Sequence, residues 1–99
     1  MKVVITDEAL SDISSITKFI KKNNPPRAIS FALELRDACR QLGNSPSAFA
    51  ALSDYPESGI RRRPYGSYVI LYRITDATVE ILHIFHGAQD YESILFRQE

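Results

Sequence analysis

Arg61, Arg62 and Arg63 follow one another, Arg73 comes a strand's length later, and His83, His86, Asp90 and Tyr91 complete the residues of this chain best equipped for chemistry. A guanidinium fork can meet two carboxylate or phosphate oxygens at once, and an imidazole can carry a proton near neutral pH. Successive side chains on a strand alternate faces, so Arg62 is expected to point away from Arg61 and Arg63. The run is then either a charged guard on an edge strand or a contact for an acidic partner, and both readings stand. His83 alternates with Ile81 and Phe85, the setting of a satisfied core or groove histidine. With two histidines and no clustered acids, no metal site and no cofactor are expected. His86-Gly87 most simply marks the exit from a strand, and a hydrogen bond from His86 to a target or to Asp90 is the functional alternative. Tyr65, Tyr68 and Tyr72 read mostly as sheet packing, with Tyr55 and Tyr91 less constrained. Cys39 is the single cysteine, which excludes an intrachain disulfide and reads as a buried, inert core residue.

These side chains need elements to hold them. Lys2 to Ile5 is a short β-branched run ending at Thr6, a candidate cap for a helix whose first turn carries Asp7 and Glu8. Leu10, Ile13, Ile16 and Ile20 recur at helical spacing as one buried stripe, with Asp12, Ser15, Lys18 and Lys22 expected away from it. That helix should stop near Asn23-Asn24, because Pro25-Pro26 forces a break, and a second should begin at or near Pro26. Phe31, Leu35, Ala38 and Leu42 form its stripe, Ile29 and Leu33 widen it, and Gly43-Asn44 supplies the stop. The two helices form an antiparallel hairpin.

From Ser45 to Gly59 the chain reads as an irregular connection with one short helical turn around Ala48 to Leu52. Ile60 to Arg63, Tyr68 to Ile74 and Thr78 to His86 then read as three strands joined by tight turns at Pro64-Tyr65-Gly66 and Thr75-Asp76-Ala77. Val79 and Ile81 on one side, with Leu82 and Ile84 on the other, make both faces of the last strand apolar. Helices can cover one face, and the other is an interface unless the chain covers it. Tyr91, Ile94 and Leu95 have helical spacing, so Asp90 to Glu99 is a short helix or an arm across the sheet edge.

Bulk properties narrow the function. Ninety-nine residues allow one core, hence a single domain over 1–99. Twelve Lys and Arg against twelve Asp and Glu leave no basic surplus, which argues against sequence-specific nucleic-acid binding. Acidic residues follow the start where a signal peptide would stay apolar, and no run reaches the length of a membrane span, so a cytoplasmic protein without a membrane partner is expected.

Several motifs, in order, resemble ParE toxins of the ParE/RelE superfamily over nearly the whole chain. They are Ala9, Asp12, Ile13, Ile16, Phe19 and Ile20 in the first helix; Asn24-Pro25 with Ala28 and Phe31; and Gly59, Arg61, Arg62, Gly66, Tyr68, Ile70, Tyr72 and Arg73. Val79-Glu80-Ile81 and Ile84-Phe85-His86-Gly87-Ala88-Gln89-Asp90 follow, with Gln89 where Arg is usual. The resemblance implies an α+β fold of order β-α-α-β-β-β, with an N-terminal strand and a helical hairpin packed on an antiparallel sheet. It also implies the toxin of a type II toxin–antitoxin pair, held in a hetero-oligomer by a cognate antitoxin whose C-terminal segment lies in a groove, with DNA gyrase as target. Homo-oligomers stay open. On this reading Arg61, Arg62, Arg63, Tyr68, Tyr72, Arg73, His86 and Asp90 are the candidate antitoxin or target contacts.

RelE relatives share the fold but cut messenger RNA on the ribosome, which requires a base for the 2′-hydroxyl, an acid for the leaving oxygen and cations for the phosphate. Arg62, His86 and Tyr91 are the candidates for that set. Val69 and Gln89 stand where such enzymes carry arginine, so two cations are missing. Binding without catalysis is the favoured reading, with endoribonuclease and non-toxic antitoxin-binding remnant as alternatives.

Overall fold

The computed structural model of the chain describes residues 1–96; the last three residues of the expected tail lie outside them. The elements are β1 (Lys2–Ile5), α1 (Asp7–Lys21), α2 (Pro25–Gln41), a 3₁₀ turn (Pro56–Ser58), β2 (Ile60–Tyr65), β3 (Tyr68–Thr75), β4 (Thr78–His86) and α3 (Tyr91–Leu95). The strands form one sheet in the order β1-β4-β3-β2, an antiparallel meander to which β1 adds in parallel beside β4. The fold is the expected α+β arrangement, with α3 as a short C-terminal helix.

Thr6 joins β1 to α1 by doing two things at once. Its Oγ1 accepts from the Ala9 amide at 3.2 Å, the N-cap bond, and donates to the Ile81 carbonyl of β4 at 2.7 Å. Helix α1 buries Ala9, Ile13 and Ile16, whereas Leu10 turns outward at 39% exposure, so the stripe is centred one residue earlier than its leucine suggests. Asn24 caps α2, which begins at Pro25. Phe31, Leu35, Ala38 and Leu42 face the core as expected. Ile29 and Leu33 do not widen that stripe. They stand 66% and 60% exposed, and the small Ala28 and Cys39 take the flanking positions, letting the helix lie close to its neighbours. Gly43 ends α2 without a left-handed residue; a Cβ there would lie 2.5 Å from the Met1 carbonyl oxygen and 2.9 Å from Val3 Cγ2. Close passage of β1 is what requires glycine.

The expected helical turn over Ala48 to Leu52 is absent. That segment runs beside β2 instead: the Arg62 amide donates to the Ala50 carbonyl and the Leu52 amide to the Ile60 carbonyl, each at 3.0 Å. Edge-strand hydrogen bonds outweigh the helical preference of this alanine-rich stretch, which is too short to sustain a helix by itself. β2 also extends through Pro64, tolerated at the sheet's edge, so the hairpin turn is Gly66-Ser67 rather than Pro64-Tyr65-Gly66. The second turn tightens to Asp76-Ala77. Both two-residue turns put a left-handed residue first, Gly66 at φ 58° and Asp76 at φ 53°.

Two apolar clusters sandwich the sheet. On the helical face Ile70, Tyr72, Val79, Ile81 and Ile84 pack against the buried residues of α1 and α2. On the opposite face Leu52, Ile60, Val69 and Leu71 are buried, with Leu82, Phe85, Tyr91, Leu95 and Phe96 packed over them. The register slips between Leu71 and Tyr72, which pair with His83 and Ile81, leaving Leu82 as an extra residue. This bulge puts Ile84 on the helical face and Leu82 on the other, so the two do not share a side.

Candidate functional site

β1 pairs with β4 only as far as Ile81, so the rest of β4 presents unpaired backbone on that edge. Asp12 fills the gap. Its Oδ2 accepts from the Ile84 amide at 2.9 Å and lies 2.9 Å from His83 Nδ1. Helical spacing placed Asp12 away from the packed surface; in the structure it is half-buried against β4, because a carboxylate can complete an edge that no apolar side chain could. Spacing alone misses this role, and its only sequence signal is its place in the first-helix motif. His83 is the satisfied groove histidine expected.

From His83 a row of rings crosses the second face. His83 stacks on Phe85 with centroids 4.7 Å apart, Phe85 faces Tyr91 at 6.3 Å, and the Tyr91 hydroxyl accepts from Arg62 Nε at 3.0 Å. Tyr55 stacks on Phe96 at 3.9 Å. Asp90 caps α3, accepting from Ser93 Oγ at 2.7 Å. Of the two outcomes left open for the second apolar face, the structure shows the covered one: the chain's own connection and C-terminal helix lie over it, though Leu82, Phe85, Tyr91, Leu95 and Phe96 all remain partly exposed.

The four arginines divide as strand alternation requires. Arg62 pairs with Leu71, and Arg73 with Ile60, so both belong to the second face. Arg73 Nε donates to Glu80 at 2.8 Å. Arg61 Nη1 donates to the Phe49 carbonyl at 2.6 Å. Arg63 Nη1 donates to the Ala38 carbonyl at 2.8 Å, satisfying one of the last free carbonyls of α2 and opposing its dipole. Tyr72 is fully buried with its hydroxyl given to the Pro46 carbonyl at 2.8 Å, and burial raises its pKa; it offers nothing to a partner. Burial likewise lifts the Cys39 thiol to about 11.

Tyr68 and His86 meet at the other side. They pair across β3 and β4 with rings edge-on at 5.4 Å, and Tyr68 packs on Phe31 of α2 at 5.5 Å. His86 is therefore on the helical face, and the sheet stands between it and the Arg62–Tyr91 pair. Of the three candidates for RNA cleavage, the structure brings two together and sets the third apart. Among the described residues no group of three or more His, Cys, Asp or Glu could hold a metal ion, and no helix is long and apolar enough to cross a membrane.

The chain is similar to one from the chromosomal ParDE TA system of P. aeruginosa, with a TM-score of 0.75 and 18% identity, covering 87% of this chain and 95% of that one. It is also similar to one from the toxin–antitoxin complex RelBE2 of Mycobacterium tuberculosis, with a TM-score of 0.65 and 26% identity, covering 86% and 95%. Comparison with curated protein sequences finds no match. The family model described as "ParE toxin of type II toxin-antitoxin system, parDE" matches residues 3–91, from β1 to the first residue of α3, and the chain accordingly belongs to the ParE toxin family.

Proposed function

We propose that this chain is a cytoplasmic toxin that acts by binding protein, with DNA gyrase as its target, and that a cognate antitoxin neutralises it in a hetero-oligomer. The observation that carries the binding reading is the separation of His86 from Arg62 and Tyr91 by the sheet, since acid–base chemistry on one phosphate needs its groups within hydrogen-bond reach of the same atoms. The antitoxin reading is supported by both structural relatives, which come from toxin–antitoxin systems. The second face suits an acidic amphipathic segment: Arg62 and Arg73 share it with partly exposed Leu82, Phe85 and Phe96. Asp90 would act there through α3, while Arg61 and Arg63 would hold the adjoining connection and helix in place.

The test is induction of the chain with and without the product of the neighbouring reading frame, together with an assay of purified gyrase for cleaved-complex formation. Growth arrest relieved by the neighbour, and gyrase trapped on cleaved DNA, are the expected results. Tight binding to the neighbour with harmless overexpression and unaffected gyrase would instead identify a non-toxic remnant. One observation favours a second reading: the Arg62–Tyr91 bond sets a cation on a phenol, which could serve RNA cleavage without His86. Primer extension after induction decides it, with new codon-linked transcript ends expected for a nuclease and intact transcripts for a binder.

A further inference from the structure

His83 is satisfied at one nitrogen only. Asp12 Oδ2 accepts from the Ile84 amide and lies 2.9 Å from His83 Nδ1, and an ionised carboxylate has no proton to give, so the imidazole proton must sit on Nδ1. The neutral ring then carries a lone pair on Nε2. That atom has no hydrogen bond among the described residues, and no buried side-chain nitrogen or oxygen there lacks a partner, so Nε2 is open to solvent. Phe85 stacks on the ring, with centroids 4.7 Å apart and planes inclined by 14°. Carboxylate and phenyl ring together fix where the lone pair points.

The surroundings select the donor it can accept from. Asp12 makes no ion pair with Lys or Arg among the described residues, and Glu8 lies one turn before it on α1, so negative charge stands uncompensated behind the neutral imidazole. A carboxylate in that position polarises the ring and strengthens Nε2 as an acceptor. A cationic N–H donor complements it best. The sheet adds an order to the contacts: Arg62 pairs with Leu71 and Leu71 with His83, so the three lie on one line across β2, β3 and β4, on the second face. Two strand spacings, about 10 Å, separate Arg62 from His83. Phe85 and Tyr91 complete the row between them. We propose that His83 is a specificity-determining contact, with Asp12 as its positioning residue: Nε2 receives an N–H from a basic side chain of the protein partner, at the opposite end of the row from the acid that Arg62 takes. The inference rests on the second face being the partner's docking surface, and it fixes which way round the segment lies.

On the free chain, labelled with ¹⁵N, long-range ¹H–¹⁵N spectra of the imidazoles above the ordinary histidine value of about 6.5 should show His83 protonated on Nδ1 and bare on Nε2. An Nε2–H tautomer, or a ring protonated on both nitrogens, overturns the proposal. The product of the neighbouring reading frame is then the binding probe. His83→Asn keeps a donor near the place of Nδ1 for Asp12 and removes the acceptor, whereas His83→Gln sets an amide oxygen near the place of Nε2; thermal melts establish that both are folded. His83→Asn should bind about tenfold or more weakly, since a hydrogen bond to a charged group contributes about 1.5–3 kcal/mol and each tenfold is about 1.4 kcal/mol. His83→Gln should recover part of that loss. Among alanine variants of the product's Arg and Lys residues, one should lose affinity for the parent chain but not for His83→Asn. Unchanged binding by His83→Asn, equal losses in the two variants, or no basic residue coupled to His83 removes this inference and leaves the antitoxin reading intact. Failure of the product to bind the parent chain removes both.

Discussion

Asp12 does work that no apolar side chain could do at its position. An amide turned toward a helix and left without an acceptor costs about 1–3 kcal/mol, so Asp12→Ala should destabilise the fold by that order in urea unfolding at neutral pH. Asp12→Asn, which keeps an acceptor for the Ile84 amide, should lose less. Equal losses would mean that the interaction with His83 dominates. Glu34 yields a prediction of a different kind. The hydrogen bond from Arg27 holds its carboxyl below the ordinary 4.5, with the Tyr65 hydroxyl assisting and desolvation opposing. A group whose folded pKa is depressed adds stability that is present above its unfolded value and is lost as pH falls through the folded one. Melting temperatures of the parent chain and Glu34→Gln should therefore differ at neutral pH and converge below 4.5. Curves that stay parallel would show that the carboxylate's charge contributes nothing. Tyr72 and Asp12 also show where motif reading stops: both stand in the family pattern, yet one is a core residue and the other an edge cap, and only the fold tells these apart from contact residues.

At the scale of elements, local chemistry specified what local chemistry controls. The Thr6 cap, the break at Pro25-Pro26 and the ends of β4 were legible because caps, prolines and β-branched runs act over a few residues. The connection over Ala48 to Leu52 was not, because its partner is the edge of β2, ten residues further on, and pairing across that distance leaves no periodic trace. The bulge at Leu82 escaped for a related reason, since one inserted residue reverses the alternation that assigns faces. Gly43 ends α2 as its residue type suggests, but through close packing against β1 rather than a left-handed cap, and the difference can be measured. If a left-handed cap were needed, asparagine would substitute well; where a Cβ must displace the β1 backbone, alanine and asparagine both fail. Overpacking of this kind costs about 1–3 kcal/mol, so Gly43→Ala and Gly43→Asn should each lose that much in chemical denaturation. Near-normal stability in the asparagine variant would restore the capping explanation.

The whole molecule is a sheet with a different surface on each side, and that division governs how its residues can cooperate. Tyr68 and His86 belong to the helical side, while Arg62, Arg73 and Tyr91 belong to the side that α3 covers. Sequence alone placed all of these among the candidates for contact or chemistry, but could not sort them, because faces follow from register and register was altered by the bulge. Groups that share no partner act independently, within about 0.3–0.5 kcal/mol, whereas the members of a catalytic set are strongly non-additive because losing one disables the rest. His86→Ala and Arg62→Ala should therefore combine additively when affinity for the cognate antitoxin is measured, and each should leave the other's effect on growth arrest unchanged. Arg62→Ala and Tyr91→Phe, which break the same hydrogen bond, should not be additive. A double variant of His86 and Arg62 that is no worse than either single one would mean that the two sides meet on one substrate, and the binding reading would give way to the enzyme.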